Sequence, residues 1–392
     1  MDMNRRSLLG MGLGLTGTTA FGSFIPRVAS AAGARDPLFI AVILRGGLDG
    51  LAMAPPVGDP GFAALGRDAM ATKAVPLHDM FALHPSLENV RRQFKAGHAN
   101  IIHASATAYR DRSHFDGQDV LESGWSEPGH TETGWLNRLI GQLPAGQKAA
   151  GDGLSVGSTT PLVLRGPAEV MGWAPQTLDT RDDNLPDRVM ALYQDADPEL
   201  ARAFDISRQT GKMAEGATDL TEIAKTPMTA MAQGAARLMV QNGGPRVAAL
   251  AFTGWDTHYG EADRLDKLLR DLDGSLAAFE TLLGDRWADT TILVTTEFGR
   301  TARVNGTKGT DHGTATTALL TGGAVKGGSV IADWPGLAPA QLRDGRDLAP
   351  TTDIRAVTKG VLSDLFDVSP HVLDEIVFPG SVDAKPVAGL IA

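Results

Sequence analysis

Three unbroken apolar runs, rich in valine and isoleucine, constrain the fold of this chain more than any other feature. They are FIAVILRGG from Phe39, RVAALAFTG from Arg246 and TTILVTTEFG from Thr290. Such runs are typical of strands buried on both faces of a parallel sheet. Helical patterns lie between them along the chain, and strands that alternate with helices favour an α/β domain. The sequence therefore predicts a three-layer α/β/α fold with a mostly parallel central sheet.

Carboxylates and imidazoles follow these runs directly, and one further short segment carries both. The residues are Asp49, then Asp256 with His258, then Glu297 with Arg300, and finally Asp311 with His312. Ligands of parallel sheets bind beyond the carboxyl ends of the strands, so we expect these side chains to converge. Oxygen and imidazole ligands suit zinc, manganese or magnesium, and a chain without cysteine has no thiolate site. The pattern predicts a divalent metal site, although any one acidic residue alone could cap a helix or form a turn.

Ser113 is the candidate nucleophile, in the segment DRSHFDGQD. It stands at an expected helix start after a strand, where free backbone N–H groups and the helix dipole favour an anion. The alternative is a helix cap, because serine is a preferred N-cap residue and Asp116 follows three positions later. The two roles are compatible.

Residues 1–31 have the pattern of a twin-arginine signal peptide. Arg5 and Arg6 precede a mild apolar stretch, Leu8 to Ile25, and Ala29-Ser30-Ala31 supplies small residues for cleavage. A membrane anchor is the weaker interpretation, since the stretch is barely long enough to span a bilayer and contains several glycines and threonines. We expect the twin-arginine export machinery to carry the chain to the periplasm or outside the cell, with no permanent membrane anchor.

Residues 32–392 are predicted to form a single domain. A polar section at about 151–234 has few strand signals and is interpreted as a helical insertion, and the segments 315–321 and 325–331 suggest an edge hairpin. The formal net charge of -10 argues against nucleic acid as a partner.

The motifs RGGLDG, RSHFDGQD, GWDTH, TEFGRT and TDHGT, in this order behind a twin-arginine leader, resemble an exported bacterial family known as domain of unknown function 1501. The resemblance covers nearly the whole chain after the leader. That family is grouped with the alkaline-phosphatase-like superfamily, which contains phosphatases, phosphodiesterases, metal-dependent phosphoglycerate mutases and sulfatases. The resemblance implies the same fold and a metal-dependent hydrolase. Its substrate would be a small-molecule or polymer phosphate ester or, with less support, a sulfate ester.

Carried over by position, the resemblance implies one or two metal ions. Asp49, Ser113 and Glu297 would form one metal site, and a second would be formed by Asp256, His258 and His312. Ser113 would be the nucleophile in ester hydrolysis. Arg300 would stabilise the developing charge, with a plain salt bridge as its alternative role.

The chain departs from the superfamily pattern in ways that affect this assignment. Glu297-Phe298 stands where Asp-His is usual, which removes one imidazole ligand, and His114 or Asp311 are candidates to compensate. Asp256 and His258 are unusually close in sequence, so His258 could instead contact the substrate or one of the residues that bind the metal. The precursor of formylglycine is missing, which weakens a sulfatase. A non-catalytic metal- or ligand-binding or assembly protein that retains the fold is the alternative function, while a carbohydrate-active protein with paired carboxylates has little support.

Overall fold

The structure is a computed structural model, and it describes residues 36–67, 73–144, 151–175, 189–190, 192–194, 197–217 and 226–392. The expected leader at 1–31 lies outside the described residues.

A central sheet of nine strands organises the described part of the chain. The sequence contributes β1 (Leu38–Leu44), β2 (Val75–Pro76), β3 (Ala82–Leu83), β4 (Ala99–Ala106), β5 (Gly153–Val156), β6 (Val170–Trp173), β7 (Val247–Phe252), β8 (Thr290–Thr295), β9 (Thr316–Thr321), β10 (Val330–Ile331) and β11 (Thr352–Asp353). The order across the sheet is β10-β4-β9-β8-β1-β7-β5-β6, with β11 also paired to β4, while β2 and β3 form a separate small sheet. The long apolar runs β1, β7 and β8 are neighbours at its centre.

Only β9 runs against its neighbours in the central sheet of the described ranges. It is antiparallel to both β4 and β8, whereas β1 is parallel to β7 and β8. The carboxyl ends of β1, β4, β7 and β8 and the amino end of β9 therefore lie at the same edge of the sheet. Side chains that follow these four strands, or that precede β9, are brought together there.

The helices are α1 (Gly50–Met53), α2 (Glu88–Ala96), α3 (His114–Ser123), α4 (Trp135–Ile140), α5 (Pro198–Ala217), α6 (Pro227–Met239), α7 (Glu261–Leu283), α8 (Ile354–Phe366) and α9 (Pro370–Val372). Short 3-10 turns occupy Phe62–Leu65, Leu162–Leu164 and Gly284–Asp289, and a π-helical turn follows at Leu373–Val377.

The side chains of β1 alternate between two apolar cores, which defines the three layers. Leu38, Ile40, Val42 and Leu44 pack in one core with α2, α6 and α7. The intervening β1 side chains belong to the other core, together with α4 and α8. A strand covered on both faces needs apolar residues at every position, as the sequence of β1 has. The structure confirms the predicted three-layer α/β/α fold with a mostly parallel sheet.

Two sequence expectations are corrected. The segments at 315–321 and 325–331 do not form a hairpin, because β4 lies between β9 and β10 and pairs with both. The section at about 151–234 is not purely helical, because it supplies β5 and β6, which extend the central sheet beyond β7. Both strands are only four residues long, too short for a periodic sequence signal. Within the described residues, no helix combines the length and the apolarity needed to cross a bilayer.

Candidate metal centre

Three imidazole rings meet at the edge of the sheet where β1, β4, β7 and β8 end. The Nε2 atoms of His114 and His312 are 2.9 Å apart, and those of His258 and His312 are 3.0 Å apart. Asp256 completes the group: its Oδ1 is 2.9 Å from His258 Nε2 and 3.3 Å from His312 Nε2, and its Oδ2 is 3.5 Å from His114 Nε2. We call these four residues the histidine centre.

The four residues of the histidine centre lie in three connections of the fold, each at the carboxyl edge of the sheet. His114 is the first residue of α3, in the connection that follows β4, while Asp256 and His258 follow β7. His312 lies in the connection between β8 and β9, where residues 300 and 312 form an antiparallel bridge. The centre thus joins segments separated by 198 positions in the sequence.

The second ring nitrogen of every histidine already has an acceptor. The Nδ1 of His114 is 2.9 Å from Glu297 Oε1, that of His258 is 3.2 Å from Asp311 Oδ1, and that of His312 is 3.1 Å from the Arg112 carbonyl. These acceptors favour the tautomer with the proton on Nδ1, which leaves an Nε2 lone pair on each ring directed into the centre. Histidines that bind metals are commonly held by partners of this kind.

The histidine centre fits one divalent metal ion. Ligand atoms of His114, Asp256 and His312 all lie within 4.8 Å of one another. Three neutral imidazoles with their lone pairs about 3 Å apart repel one another unless a cation or a proton lies between them. Tetrahedral zinc with Zn–N bonds of about 2.0–2.1 Å separates its ligand nitrogens by roughly 3.3 Å, close to the spacing observed. Imidazole and carboxylate donors also match the chemistry of zinc and manganese.

The charges around the centre are unequally distributed. The hydrogen bond to Glu297 raises the pKa of His114, whereas burial and the neighbouring His114 and Arg300 charges lower the pKa of His312. Burial alone would raise the pKa of Asp256, but its hydrogen bond and charge interaction with Arg300 outweigh this effect and hold it below the ordinary range. Asp256 is therefore an ionised carboxylate at neutral pH, as a metal ligand must be.

Glu297 supports the centre from behind rather than facing it. Its side chain is fully buried, and Oε1 accepts hydrogen bonds from the Gly46 amide at 2.8 Å and from Gln118 Nε2 at 3.1 Å, besides its contact with His114. The Thr296 hydroxyl donates to Oε2. Burial raises the pKa of Glu297, but the hydrogen bonds from His114 and Gln118 outweigh it and keep the group below its usual range. With these donors in place, the carboxylate orients His114 and has little capacity left for a metal.

Asp49 is paired with a counter-ion of its own and makes no described contact with the histidine centre. Its Oδ2 lies 2.6 Å from Nη1 of Arg67, a guanidinium that is also fully buried, and its Oδ1 accepts the Ala52 amide as the N-cap of α1. A buried arginine thus provides the positive charge that the expected first metal site would supply. The expected grouping of Asp49, Ser113 and Glu297 as a metal site stays a prediction, and the described contacts pair Asp49 with Arg67 and Glu297 with His114. Arg67 follows Gly66 in a loop without any recognisable motif, so the sequence offered no signal for it.

Arg300 makes the salt bridge that the sequence left open as its alternative role. Its Nη1 donates to Asp256 Oδ1 at 2.6 Å and to the Gly46 carbonyl at 3.3 Å, and its Nε donates to Thr310 Oγ1 at 3.1 Å. The guanidinium is fully buried, so it fixes Asp256 and joins the ends of β1, β7 and β8.

Ser113 is the N-cap residue of α3, but the described hydrogen bonds include no cap bond from its side chain. Its backbone amide donates to the Tyr109 hydroxyl at 3.2 Å, and that hydroxyl donates to Asp116 Oδ2 at 3.1 Å. Ser113 thus lies next to His114 in sequence while its contacts are with the β4–α3 loop. Its role as nucleophile stays a prediction.

Phe298 fills the space beneath the imidazoles. Its ring centroid lies 4.9 Å from that of His114 and 5.2 Å from that of His312, and the side chain is buried. Gly47 and Gly117 make room for it, since a Cβ at either position would lie about 3 Å from the ring, at 2.9 and 3.1 Å. The residue that interrupts the superfamily pattern therefore supports two of the histidines by packing.

A buried polar chain extends from the centre to the start of α7. Glu261 Oε1 accepts hydrogen bonds from the hydroxyls of Thr257 and Thr310, and Thr310 in turn accepts from Arg300. The second carboxylate oxygen, Oε2, is buried without a hydrogen-bond partner among the described residues. Burial and the nearby Asp49 raise the pKa of Glu261 to about 8.

The substitution Glu261→Gln should stabilise the protein increasingly as the pH rises from 5 to 8. In this range the folded protein keeps a proton on Glu261 that the unfolded chain has lost, so the folded state becomes less favourable as pH rises. Glutamine resembles the protonated acid and removes this loss, which is on the order of a few kcal/mol at pH 8. Thermal unfolding of both proteins at several pH values measures the difference. Glu127→Gln, at an exposed position, is the matched control, and a constant difference between Glu261→Gln and the parent across this range would contradict the assignment.

The fold and the histidine centre define an α/β protein with a candidate metal site at the carboxyl edge of its sheet. The chain belongs to the family described as protein of unknown function DUF1501, whose model matches residues 39–377. This is the family that the sequence motifs resemble. No curated protein matches the chain.

Several solved structures are similar to this chain at low identity. Ps i-CgsB in complex with k-i-k-neocarrahexaose has 12% identity and a TM-score of 0.43, with 89% of this chain and 77% of that one covered. A protein in the alkaline phosphatase superfamily from Vibrio parahaemolyticus has 11% identity and a TM-score of 0.43, with coverage of 90% and 71%. The lipoteichoic acid synthase LtaP from Listeria monocytogenes has 10% identity and a TM-score of 0.40, with coverage of 89% and 76%. Likenesses at this level bear on neither the activity nor the substrate of this chain.

Proposed function

We propose that this protein is a hydrolase of the alkaline-phosphatase-like superfamily that binds a single divalent metal ion and cleaves a phosphate or, less favoured, a sulfate ester. The observation that carries the proposal is the approach of three imidazole Nε2 atoms to within 2.9–3.0 Å of a neighbour while every Nδ1 is already bound to an acceptor. This donor arrangement supports a bound cation at the centre. Zinc or manganese suits it better than magnesium, which prefers oxygen ligands.

The metal, when bound, would act as a Lewis acid toward an ester oxygen. His114, His258, His312 and Asp256 would hold it, and Arg300 would keep Asp256 ionised and in place. The side chains of His114 and His312 are about a quarter exposed, at 24% and 27%, and those of His258 and Asp256 are more exposed, so a substrate can reach the centre.

Ser113 remains the proposed nucleophile. It immediately precedes His114 at the N-terminal end of α3, where the helix dipole favours the negative charge that develops on its hydroxyl oxygen. In the proposed reaction the Ser113 hydroxyl loses its proton to solvent, and its oxygen forms a bond to the phosphorus while the bond to the leaving alcohol breaks and that alcohol takes up a proton. Water then hydrolyses the phosphoserine, which releases phosphate and restores Ser113. The Tyr109 hydroxyl, held by Asp116, is placed to orient the serine.

A second candidate function is a metal-binding protein without turnover. The buried Arg67 at Asp49 favours it, because that arginine leaves the centre with one ion, whereas hydrolysis with two metals needs a pair about 4 Å apart. Ester turnover that requires both the metal and Ser113 distinguishes the two functions.

We further propose that the protein acts in the periplasm or outside the cell. The support is the pattern of Arg5-Arg6, the mild apolar stretch and Ala29-Ser30-Ala31, which is typical of twin-arginine leaders.

The substitution His312→Ala should remove the metal. Elemental analysis of protein purified without chelator is expected to give about one metal ion per chain, and close to none for His312→Ala, because His312 contacts both other histidines and Asp256. His371→Ala, at an exposed position on α9, is the matched control and should keep the metal. Two ions per chain in the parent protein would contradict a single-metal centre.

The substitution Ser113→Ala should abolish ester turnover and leave the metal content unchanged. We expect at least a ~10³-fold loss of kcat for p-nitrophenyl phosphate, since removal of a nucleophile has effects of this size or larger. Ser126→Ala, at an exposed position in the loop after α3, is the control. If the parent protein holds its metal but hydrolyses neither p-nitrophenyl phosphate nor p-nitrophenyl sulfate, the non-catalytic function is favoured instead.

A further inference from the structure

A groove of about 430 Å³ adjoins the histidine centre on the side of Asp311. Residues from three segments line it, at 61–65, 301–305 and 337–346. Asp311 belongs to both places: it lines the groove, and its Oδ1 is the acceptor 3.2 Å from His258 Nδ1. A molecule that occupies the groove can therefore extend toward the centre past Asp311. The volume lies within the range of ligand pockets.

The groove is held in shape by backbone hydrogen bonds between its walls. The Val304 amide donates to the Leu65 carbonyl at 3.2 Å, and the Ala302 amide donates to the Arg346 carbonyl at 3.0 Å. Buried Arg67 donates through Nε to the Ala302 carbonyl at 2.6 Å, which ties the same wall to Asp49. A groove formed in this way before a ligand arrives saves most of the entropy that ordering loops would cost.

Two exposed guanidinium groups dominate the charge of the groove. Arg303 and Arg346 both line it, and each makes its described hydrogen bond through Nη1, to the Ala64 carbonyl and to Asp347 Oδ1 respectively. Within the described residues the other N–H donors of these two groups have no acceptor, so they can reach a ligand. Arginine forks match the geometry of carboxylate, phosphate and sulfate oxygens.

Among the described lining residues Asp311 is the one carboxylate, and neighbouring hydrogen-bond donors hold it in place. Its Oδ1 accepts a hydrogen bond from Asn305 Nδ2 at 3.1 Å in addition to the contact with His258. The Asn305 hydrogen bond is the largest of the effects that keep its pKa below the ordinary range. Arg303 and Arg346 against Asp311 give the described lining residues a formal net charge of +1, and Asp347, which pairs with Arg346, lies outside the lining.

The remaining surface of the groove is apolar. Leu65 and Leu337 are buried in a small core with Ala302, and Leu342 packs against that core. A carbon framework can lie on these side chains while its charged groups meet the arginines.

We propose that this groove binds a second oxyanion of the substrate, a sulfate, phosphate or carboxylate borne by the molecule whose ester reaches the histidine centre. The substrate class is thus a multiply anionic ester. The role in substrate recognition rests on the proposed function, whereas the binding of an oxyanion does not.

The test is a titration of sodium sulfate into the His312→Ala protein, followed by calorimetry at constant ionic strength. The His312→Ala protein is used because the expected metal would itself bind an oxyanion. The parent protein stripped of metal with a chelator is a second metal-free form for the same titration. We expect saturable binding, weakened at least tenfold by Arg303→Gln and by Arg346→Gln. Ala64→Glu adds a negative charge at an exposed position in the groove wall. It should also weaken sulfate binding, because it repels the anion. Arg270→Gln on α7, with a side chain 68% exposed, is the matched control and should bind as the His312→Ala protein does.

Sodium acetate in the same titration shows whether the groove accepts a carboxylate as well as sulfate. Absence of saturable sulfate binding in both metal-free forms would overturn the proposal, and so would binding that none of the three groove substitutions weakens. Neither result depends on turnover. The metal content and ester hydrolysis of the parent protein test the proposed function separately, so the two failures are distinguishable.

Discussion

The candidate site depends on a single electrostatic constraint, the close approach of three imidazole nitrogens that each carry a lone pair. The rings cannot turn away from one another without losing a partner, because Glu297, Asp311 and the Arg112 carbonyl hold their other nitrogens. Phe298 blocks movement into the domain beneath His114 and His312. A positive charge at the centre, whether a proton or a metal ion, satisfies all of these contacts together, and the proposed function assigns this charge to a metal ion.

Buried arginines decide which carboxylates belong to the centre. Arg300 lies beside Asp256 and leaves its second oxygen open toward His114. Arg67 engages Asp49 fully and withdraws it into the interior. Removing Arg67 would leave buried Asp49 with an uncompensated charge, a cost that commonly reaches several kcal/mol, whereas Asp256 is 41% exposed and would lose less on removal of Arg300. The two arginines therefore have a structural role whatever the activity of the protein is.

Much of the fold was predictable because its central strands are long and continuously apolar. The helix Glu261–Leu283 is also readable from the sequence, since leucines repeat along one face over its full length. The pairing of β9 with β4 was not predictable, because strand order is decided by tertiary packing rather than by local pattern. The convergence of Asp256, His258 and His312 followed from their position after or between strands. The pairing of Asp49 with Arg67 could not be predicted from the sequence, because the two residues are 18 positions apart and no motif connects them.

If the histidine centre binds a metal ion as proposed, the wide sequence separation of its residues would link metal binding to the stability of the whole domain. His114 and His312 are 198 positions apart, and the strands between and around them must all be in place before the two rings can meet. An unfolded chain holds no such site, so a bound ion favours only the native state. The increase in the free energy of unfolding depends on the ratio of free metal concentration to dissociation constant. It reaches about 4 kcal/mol when that ratio is 1,000. A shortage of the metal would then lower the stability of the native state, and its first consequence would be faster proteolysis of the entire chain.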